Sequence, residues 1–183
     1  MEDLIRFQIP CKLEFTKLVE DFTEIISQYL QPKPSVEFAT KLKAVMNEVF
    51  INIVNHSNTA EEKEVVRFQF EIGMKSVCIS VYDYGPGFEV NSKVPPYPKD
   101  LIGKKFLLRE VIDGSVYYTV ADTYSVSFTF EEKEEAALDM LDEYSGLEGH
   151  GMGMSIITKL MDSVTYSYVG DGKYDWKLVK QLD

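Results

Sequence analysis

The spacing of apolar positions changes several times along the chain, and each change marks an element. Residues 4–9 alternate apolar and polar, the period of a half-buried strand, and Pro10 limits it. From residue 14 to about 30, Phe15, Leu18, Val19, Phe22, Ile25, Ile26 and Tyr29 recur at helical spacing. The QPKP segment then stops the helix, because proline cannot continue it and restrains the residue before it. Ser35 is a good N-cap for a second helix reaching about residue 56, with Phe38, Leu42, Val45, Met46, Val49, Phe50, Ile53 and Val54 as its buried stripe. Stretches 65–72 and 76–82, rich in Val, Ile and Phe and joined by Gly73-Met74-Lys75, predict two strands.

The middle of the chain is less regular. VPPYP predicts a loop, 100–111 a short helix, 116–120 and 124–130 a hairpin, and 131–144 an acidic helix. About fifty residues thus separate two glycine motifs, longer than most loops in compact domains. A helix at 152–161 follows a glycine cluster, and 164–169 with 174–179 predicts a hairpin around Gly170-Asp171-Gly172. This order predicts one α/β (α+β) domain over residues 1–183 with an insertion at about 91–145. The expected architecture is a two-layer sandwich, a mixed but mostly antiparallel sheet carrying three or four helices on one face.

Composition narrows the function. A formal net charge of -11 lowers the prospect of direct nucleic-acid binding, which normally uses a basic stripe, and suits a soluble chain or a basic protein partner. No run approaches the roughly 18 apolar residues of a membrane helix. The first ten residues lack the pattern of a secretory signal, so a cytoplasmic protein is expected. Cys11 and Cys78 lack metal-ligand spacing and read as free thiols in a reducing compartment.

Three segments carry candidate chemistry. In NEVFINIVNHSN, Glu48, Asn52 and His56 are spaced by four and rise along one helical face beside the apolar stripe. A carboxylate there suits general-base work, and an amide oxygen suits Mg²⁺, which otherwise keeps waters and phosphate oxygens. In VYDYGPGF, Asp83 ends a strand where a carboxylate can accept from an amino group, while Gly85 and Gly87 permit a tight turn and close approach of a ligand. In EGHGMGMSIITKLMD, Gly149, Gly151 and Gly153 precede an apolar helix whose N-terminal N–H groups can face a phosphate. Taken singly, each has a plain structural reading: a capped helix end, a Gly-Pro-Gly turn, a glycine-rich loop.

Together and in this order, Glu-x3-Asn, Asp-x-Gly-x-Gly and Gly-x-Gly-x-Gly resemble the N, G1 and G2 boxes of the GHKL ATPases. That superfamily includes gyrase, a heat-shock chaperone, histidine kinases and a mismatch-repair ATPase. The similarity runs over about residues 4–90 and 146–182 and points within the superfamily to the bacterial anti-sigma-factor serine/threonine kinases. That resemblance implies ATP and Mg²⁺ as cofactors, Glu48 as catalytic base and Asn52 as Mg²⁺ ligand. It implies Asp83 as reader of adenine, Gly85 and Gly87 as shapers of the pocket, and Gly149, Gly151 and Gly153 as the phosphate border. His56 falls at a matching position without an assigned step. It also implies a protein partner, an anti-anti-sigma-like substrate or a sigma factor, and a homodimer.

The sequence departs from that family in three places. The segment corresponding to the ATP lid is extended and carries Lys104, Lys105 and Arg109, which suit a phosphate, a partner or a solvated face. Glu148, Gly149 and His150 stand where some relatives have an arginine, and Gly172-Lys173-Tyr174 replaces a Gly-Thr entering the last strand. A nucleotide-dependent protein-binding switch therefore stands beside the kinase as an alternative. A histidine-kinase catalytic domain fits less well, since neither His56-Ser57 nor His150-Gly151 supplies a phosphoacceptor motif.

Overall fold

The computed structural model describes residues 3–31, 33–133 and 153–182. Among the described residues eight strands form one sheet in the order β1-β2-β3-β8-β7-β6-β5-β4. They are β1 (Asp3–Pro10), β2 (Val65–Ile72), β3 (Ser76–Tyr84), β4 (Lys105–Val111), β5 (Gly114–Val120), β6 (Ser125–Glu132), β7 (Ser163–Gly170) and β8 (Lys173–Gln181). Every pairing among the described residues is antiparallel, so the sheet they form is not mixed. The helices are α1 (Thr16–Ser27), α2 (Val36–His56), a single turn α3 (Thr59–Glu62) and α4 (Gly153–Leu160). The result is the expected α+β sandwich.

Period-two alternation decides which residues meet the helices. Val77, Ile79 and Val81 of β3 point inward with Phe68 and Phe70 of β2 and Leu178 of β8, and all are fully buried or nearly so. Against them α2 lays Leu42, Val45, Met46, Val49, Phe50 and Ile53. Its start is fixed by Ser35, whose Oγ accepts the Phe38 amide at 3.1 Å. On the opposite face of the sheet stand Arg6, Gln8, Arg67, Gln69 and Tyr82, the alternate positions of β1 to β3.

Two expectations for the insertion change. Residues 100–111, expected as a helix, form a short 3-10 turn (Lys99–Leu101) and then edge strand β4. The hairpin is real, as β5 and β6, but it extends the main sheet because β6 pairs with β7. Of the acidic helix expected at 131–144, Glu131 and Glu132 belong to the end of β6 and the part from 134 onward lies outside the described residues. The hydrophobic gain explains the extension: Val116, Val120, Val126 and Phe128 are buried by continuing the inward-facing rows.

The loop between β3 and β4 is anchored rather than loose. Buried Tyr97 donates its hydroxyl to the Phe88 carbonyl at 2.7 Å. At the far end, Lys159 of α4 pairs with Asp113 in the β4–β5 turn and lies 4.5 Å from the centre of the Phe130 ring. The last helix is thereby tied to the added strands. Cys11 is buried and Cys78 half-buried, and neither forms a disulfide.

Candidate functional site

Asp83 is buried by register. It is the fourth residue of the inward row Val77-Ile79-Val81-Asp83, where the alternation would place another valine, and it is 3% exposed. Across the sheet its strand partner is Tyr174, while Val81 pairs with Trp176 and Trp176 with Tyr166. The Tyr166 hydroxyl donates to the Asp83 carboxylate, 3.1 Å from Oδ1 and 3.3 Å from Oδ2. Burial pushes the Asp83 carboxyl up to about 7. Tyr166 and then Trp176 partly oppose that rise, and nearby Asp175 adds to it.

The end of α2 is stitched to the same strand. The Thr59 hydroxyl accepts the Tyr84 amide at 2.9 Å and a bond from the Ser57 hydroxyl at 2.8 Å, and the Asn58 amide donates to the Tyr84 carbonyl at 2.7 Å. Thr59 is fully buried, so this network cannot be exchanged for water without loss. It sets the helix end against Asp83. A cavity of about 270 Å³ opens there, near the lower end of ligand pockets at roughly 300–1,000 Å³. Asn52 and His56 line it from α2, Ser57 from the cap that ends the helix, Asp83 from β3, and Gly87 and Phe88 from the loop that follows.

The remaining wall is aromatic and apolar: Phe128, Tyr166 and Trp176 from the sheet, Leu108 from β4 and Met154 from α4. Phe128 stacks on Trp176 at 5.6 Å and meets Phe88 edge-on at 5.3 Å. The insertion therefore builds part of this cavity through Leu108 and Phe128. Lys104, Lys105 and Arg109 are not among the lining residues. Lys104 lies 4.0 Å from Asp100 and Lys105 pairs with Glu131.

Glu48 sits one helical turn back from Asn52, half-buried, and burial alone raises its carboxyl above the usual range. It packs directly on Gly153 at the start of α4: a Cβ there would lie 2.3 Å from Glu48 Oε2. The helix carrying the N-box residues and the helix expected to border phosphates thus meet at a carboxylate and a glycine. Gly87 is the glycine of its turn that cannot be replaced, with φ of +84° and a Cβ position 2.3 Å from the Tyr174 hydroxyl. Gly85 makes only ordinary contacts with Ser57 and Asn58. Gly149 and Gly151, with the neighbouring Glu148 and His150, lie outside the described residues.

A model of the histidine kinase-like ATPase domain matches residues 16–174. The chain belongs to that family. The histidine kinase-like ATPase match spans α1 to the start of β8 and includes every residue around the cavity except Trp176. No curated protein matches the chain. Membership in the family supports ATP binding as the general function, and domains of this superfamily generally bind ATP with Mg²⁺.

The donor set agrees with that chemistry. Among the described residues no group of three or more His, Cys, Asp or Glu side chains could hold a metal ion. Asn52, which lines the cavity, would offer one carboxamide oxygen, a hard donor of the kind Mg²⁺ takes when phosphate and water oxygens complete its shell. No helix among the described residues is long and apolar enough to cross a membrane.

Sequence reasoning missed Ser57, Thr59, Phe88, Leu108, Phe128, Tyr166 and Trp176. Ser57-Asn58-Thr59 directly after a helix is a side-chain capping signal that could have located the first pair. The aromatic residues carried no signal beyond half-buried strand positions.

Proposed function

We propose that this chain is an Mg-ATP-dependent serine/threonine protein kinase of the anti-sigma-factor type, phosphorylating a small anti-anti-sigma-like protein and able to sequester a sigma factor. One observation carries the reading: Asn52 on α2 and the buried Asp83 on β3 bound one cavity, while Glu48, one turn from Asn52, touches Gly153 of α4. In this reading Asp83 accepts from the adenine amino group and Gly87 leaves room for the base. Asn52 holds Mg²⁺. Gly153, with Gly149 and Gly151, borders the phosphates.

Glu48 takes the proton of the partner's serine or threonine hydroxyl. Burial raises its affinity for a proton above that of an ordinary glutamate, which strengthens it as a base. Bound Mg-ATP would supply the transferable phosphoryl group and the charge that neutralises its oxygens. The protein would work in the cytoplasm, as a homodimer, with its partner providing the hydroxyl.

One observation favours the second reading, a nucleotide-dependent switch without phosphoryl transfer. Among the described residues no lysine or arginine lines the cavity, so no described side-chain cation is in place to steady a transferring phosphoryl group.

Calorimetry with ATP, with and without Mg²⁺, tests the nucleotide reading on the intact chain, Asp83→Asn and Asn52→Ala. Magnesium-dependent binding that both variants lose supports it. Absence of binding to the intact chain ends it. Slow ATP hydrolysis that Glu48→Gln abolishes while binding persists separates the kinase from the switch.

A further inference from the structure

The contact between Tyr166 and Asp83 is unusual in its setting. Tyr166 is 7% exposed, and its ring is held between two neighbours, stacked on Tyr174 at 5.0 Å with planes 11° apart and against Trp176 at 4.5 Å. Its hydroxyl cannot swing away without breaking that stack. It sits almost equally far from both carboxylate oxygens, so it fixes the carboxylate rather than merely touching one end. A carboxylate offers about four acceptor positions, and the phenol proton together with Trp176, which also favours the ionised form, leaves at least one of them open. Both Asp83 and Tyr166 border the cavity.

We propose that Tyr166 is the positioning residue of the base subsite, its hydroxyl locking the Asp83 carboxylate so that the unused acceptor positions face a ligand edge bearing an amino donor. The inference rests on the nucleotide reading of the cavity and goes beyond it by naming what sets base selectivity. An adenine edge brings the N–H donor that the carboxylate needs. A guanine edge at the same place brings a carbonyl oxygen, leaving two acceptors face to face in an aromatic enclosure, and such unpaired buried groups discriminate strongly. Trp176 acts both through Tyr166, by holding its ring, and on Asp83 itself, whose ionised form it favours.

The same contact sets the pH window. The hydroxyl favours the ionised carboxylate, so without it Asp83 would hold its proton to higher pH. The groups coupled to or facing Asp83 are Tyr166 from β7, Trp176, Tyr174 and Asp175 from β8, Cys11 after β1, and His56 across the cavity on α2. A Tyr166→Phe variant keeps all the others and the aromatic stack.

The experiment is calorimetric titration of ADP and GDP with Mg²⁺ between pH 5.5 and 8.5, for the intact chain and Tyr166→Phe. Alongside it, the carboxyl carbon resonance of Asp83 is followed through the same range without nucleotide. In the intact chain ADP affinity rises with pH through about 7, and GDP binds much more weakly. In the variant the rise moves upward by about one pH unit, lowering affinity near pH 7 by up to about tenfold and recovering at the top of the range. The preference for ADP over GDP narrows.

A uniform loss at every pH would mean that Tyr166 only supports the fold of the site and would overturn the proposal. An unchanged midpoint would overturn it as well. Should the intact chain bind neither nucleotide, the nucleotide reading fails on its own. The Asp83 resonance then still decides whether Tyr166 holds the carboxylate: its midpoint rises in Tyr166→Phe if it does and stays in place if it does not.

Discussion

Asp83 shows what a single residue can cost a fold. Its folded pKa of about 7 lies well above the ~3.9 of an unfolded aspartate, so between those values the native state keeps a proton that the unfolded state has released. Stability is therefore full below about pH 4 and declines as pH rises toward 7. Three units correspond at most to about 4 kcal/mol, and Asp175, raised by burial to about 6, contributes in the same direction. Asp83→Asn removes the buried charge and keeps a hydrogen-bonding side chain beside Tyr166. Urea unfolding at pH 5 and pH 8 should show the variant closer to the native chain at pH 5 and more stable than it at pH 8. A variant that is less stable at both would show that the carboxylate is held by more than it loses in desolvation. The same measurement certifies that lost ATP binding in Asp83→Asn is not lost folding.

A second residue-scale consequence follows from Gly153. A methyl group there has no space unless Glu48 moves, and that carboxylate lies on the short, well-packed joint between α2 and α4. Gly153→Ala should lower turnover at least tenfold, by more than it lowers Mg-ATP affinity, read by steady-state hydrolysis beside calorimetry. Equal turnover would remove Glu48 from the reaction, since its position would then not matter. The placing of Asp83, Gly87 and Asn52 around the cavity, with Glu48 one helical turn away and outside its lining, was legible in the sequence, because spacing along one helix and a glycine turn after a strand are local facts. Tyr166 was not. It meets Asp83 only because β8 lies between β3 and β7, a register over 83 residues of separation that no local pattern contains.

Among elements, α1, α2, α4 and the hairpins β2–β3, β5–β6 and β7–β8 could be read from periodicity, and the single turn α3 and edge strand β4 could not. Its sequence, KFLLREV, is built from residues that favour helices, and a bulge between Leu107 and Arg109 breaks the alternation that would have marked a strand. As an edge strand with mostly exposed side chains it also lacks the apolar row that buried strands display. What holds this extension to the helix layer is partly polar. Lys159 reaches from α4 to Asp113 at the β4–β5 turn while its ammonium lies over Phe130, and both charged side chains are about one-third exposed or less. A double-mutant cycle on Lys159→Ala and Asp113→Ala, followed by urea unfolding, should give a coupling of about 1 kcal/mol, at the upper end for exposed pairs because of the partial burial. Coupling near zero would leave the apolar contacts of α4 as the attachment.

At the scale of the whole molecule, the cavity is the place where distant parts of the chain converge: α2, β3, β4, β6, β7, β8 and α4 each contribute at least one lining side chain. A ligand there ties the helix layer, the central strands and the added strands together, so it should stabilise the fold as one unit. At a hundred times its dissociation constant a ligand adds about 2.7 kcal/mol, which for a chain of this size raises Tm by roughly 5–10 °C. Charge decides which form of the ligand does this. In a chain of net charge -11 whose described cavity walls offer no lysine or arginine, free ATP meets repulsion, and Mg²⁺ lowers the charge it brings. The chain also carries its own reporter, since its single tryptophan, Trp176, forms part of the wall between Phe128 and Tyr166. Titrating Mg-ATP should change the emission of Trp176 along the same saturation curve as the rise in Tm, and ATP without the metal should need far higher concentrations to do either. A thermal shift with no change in Trp176 emission would place the bound nucleotide away from the cavity and Asp83 outside its contacts.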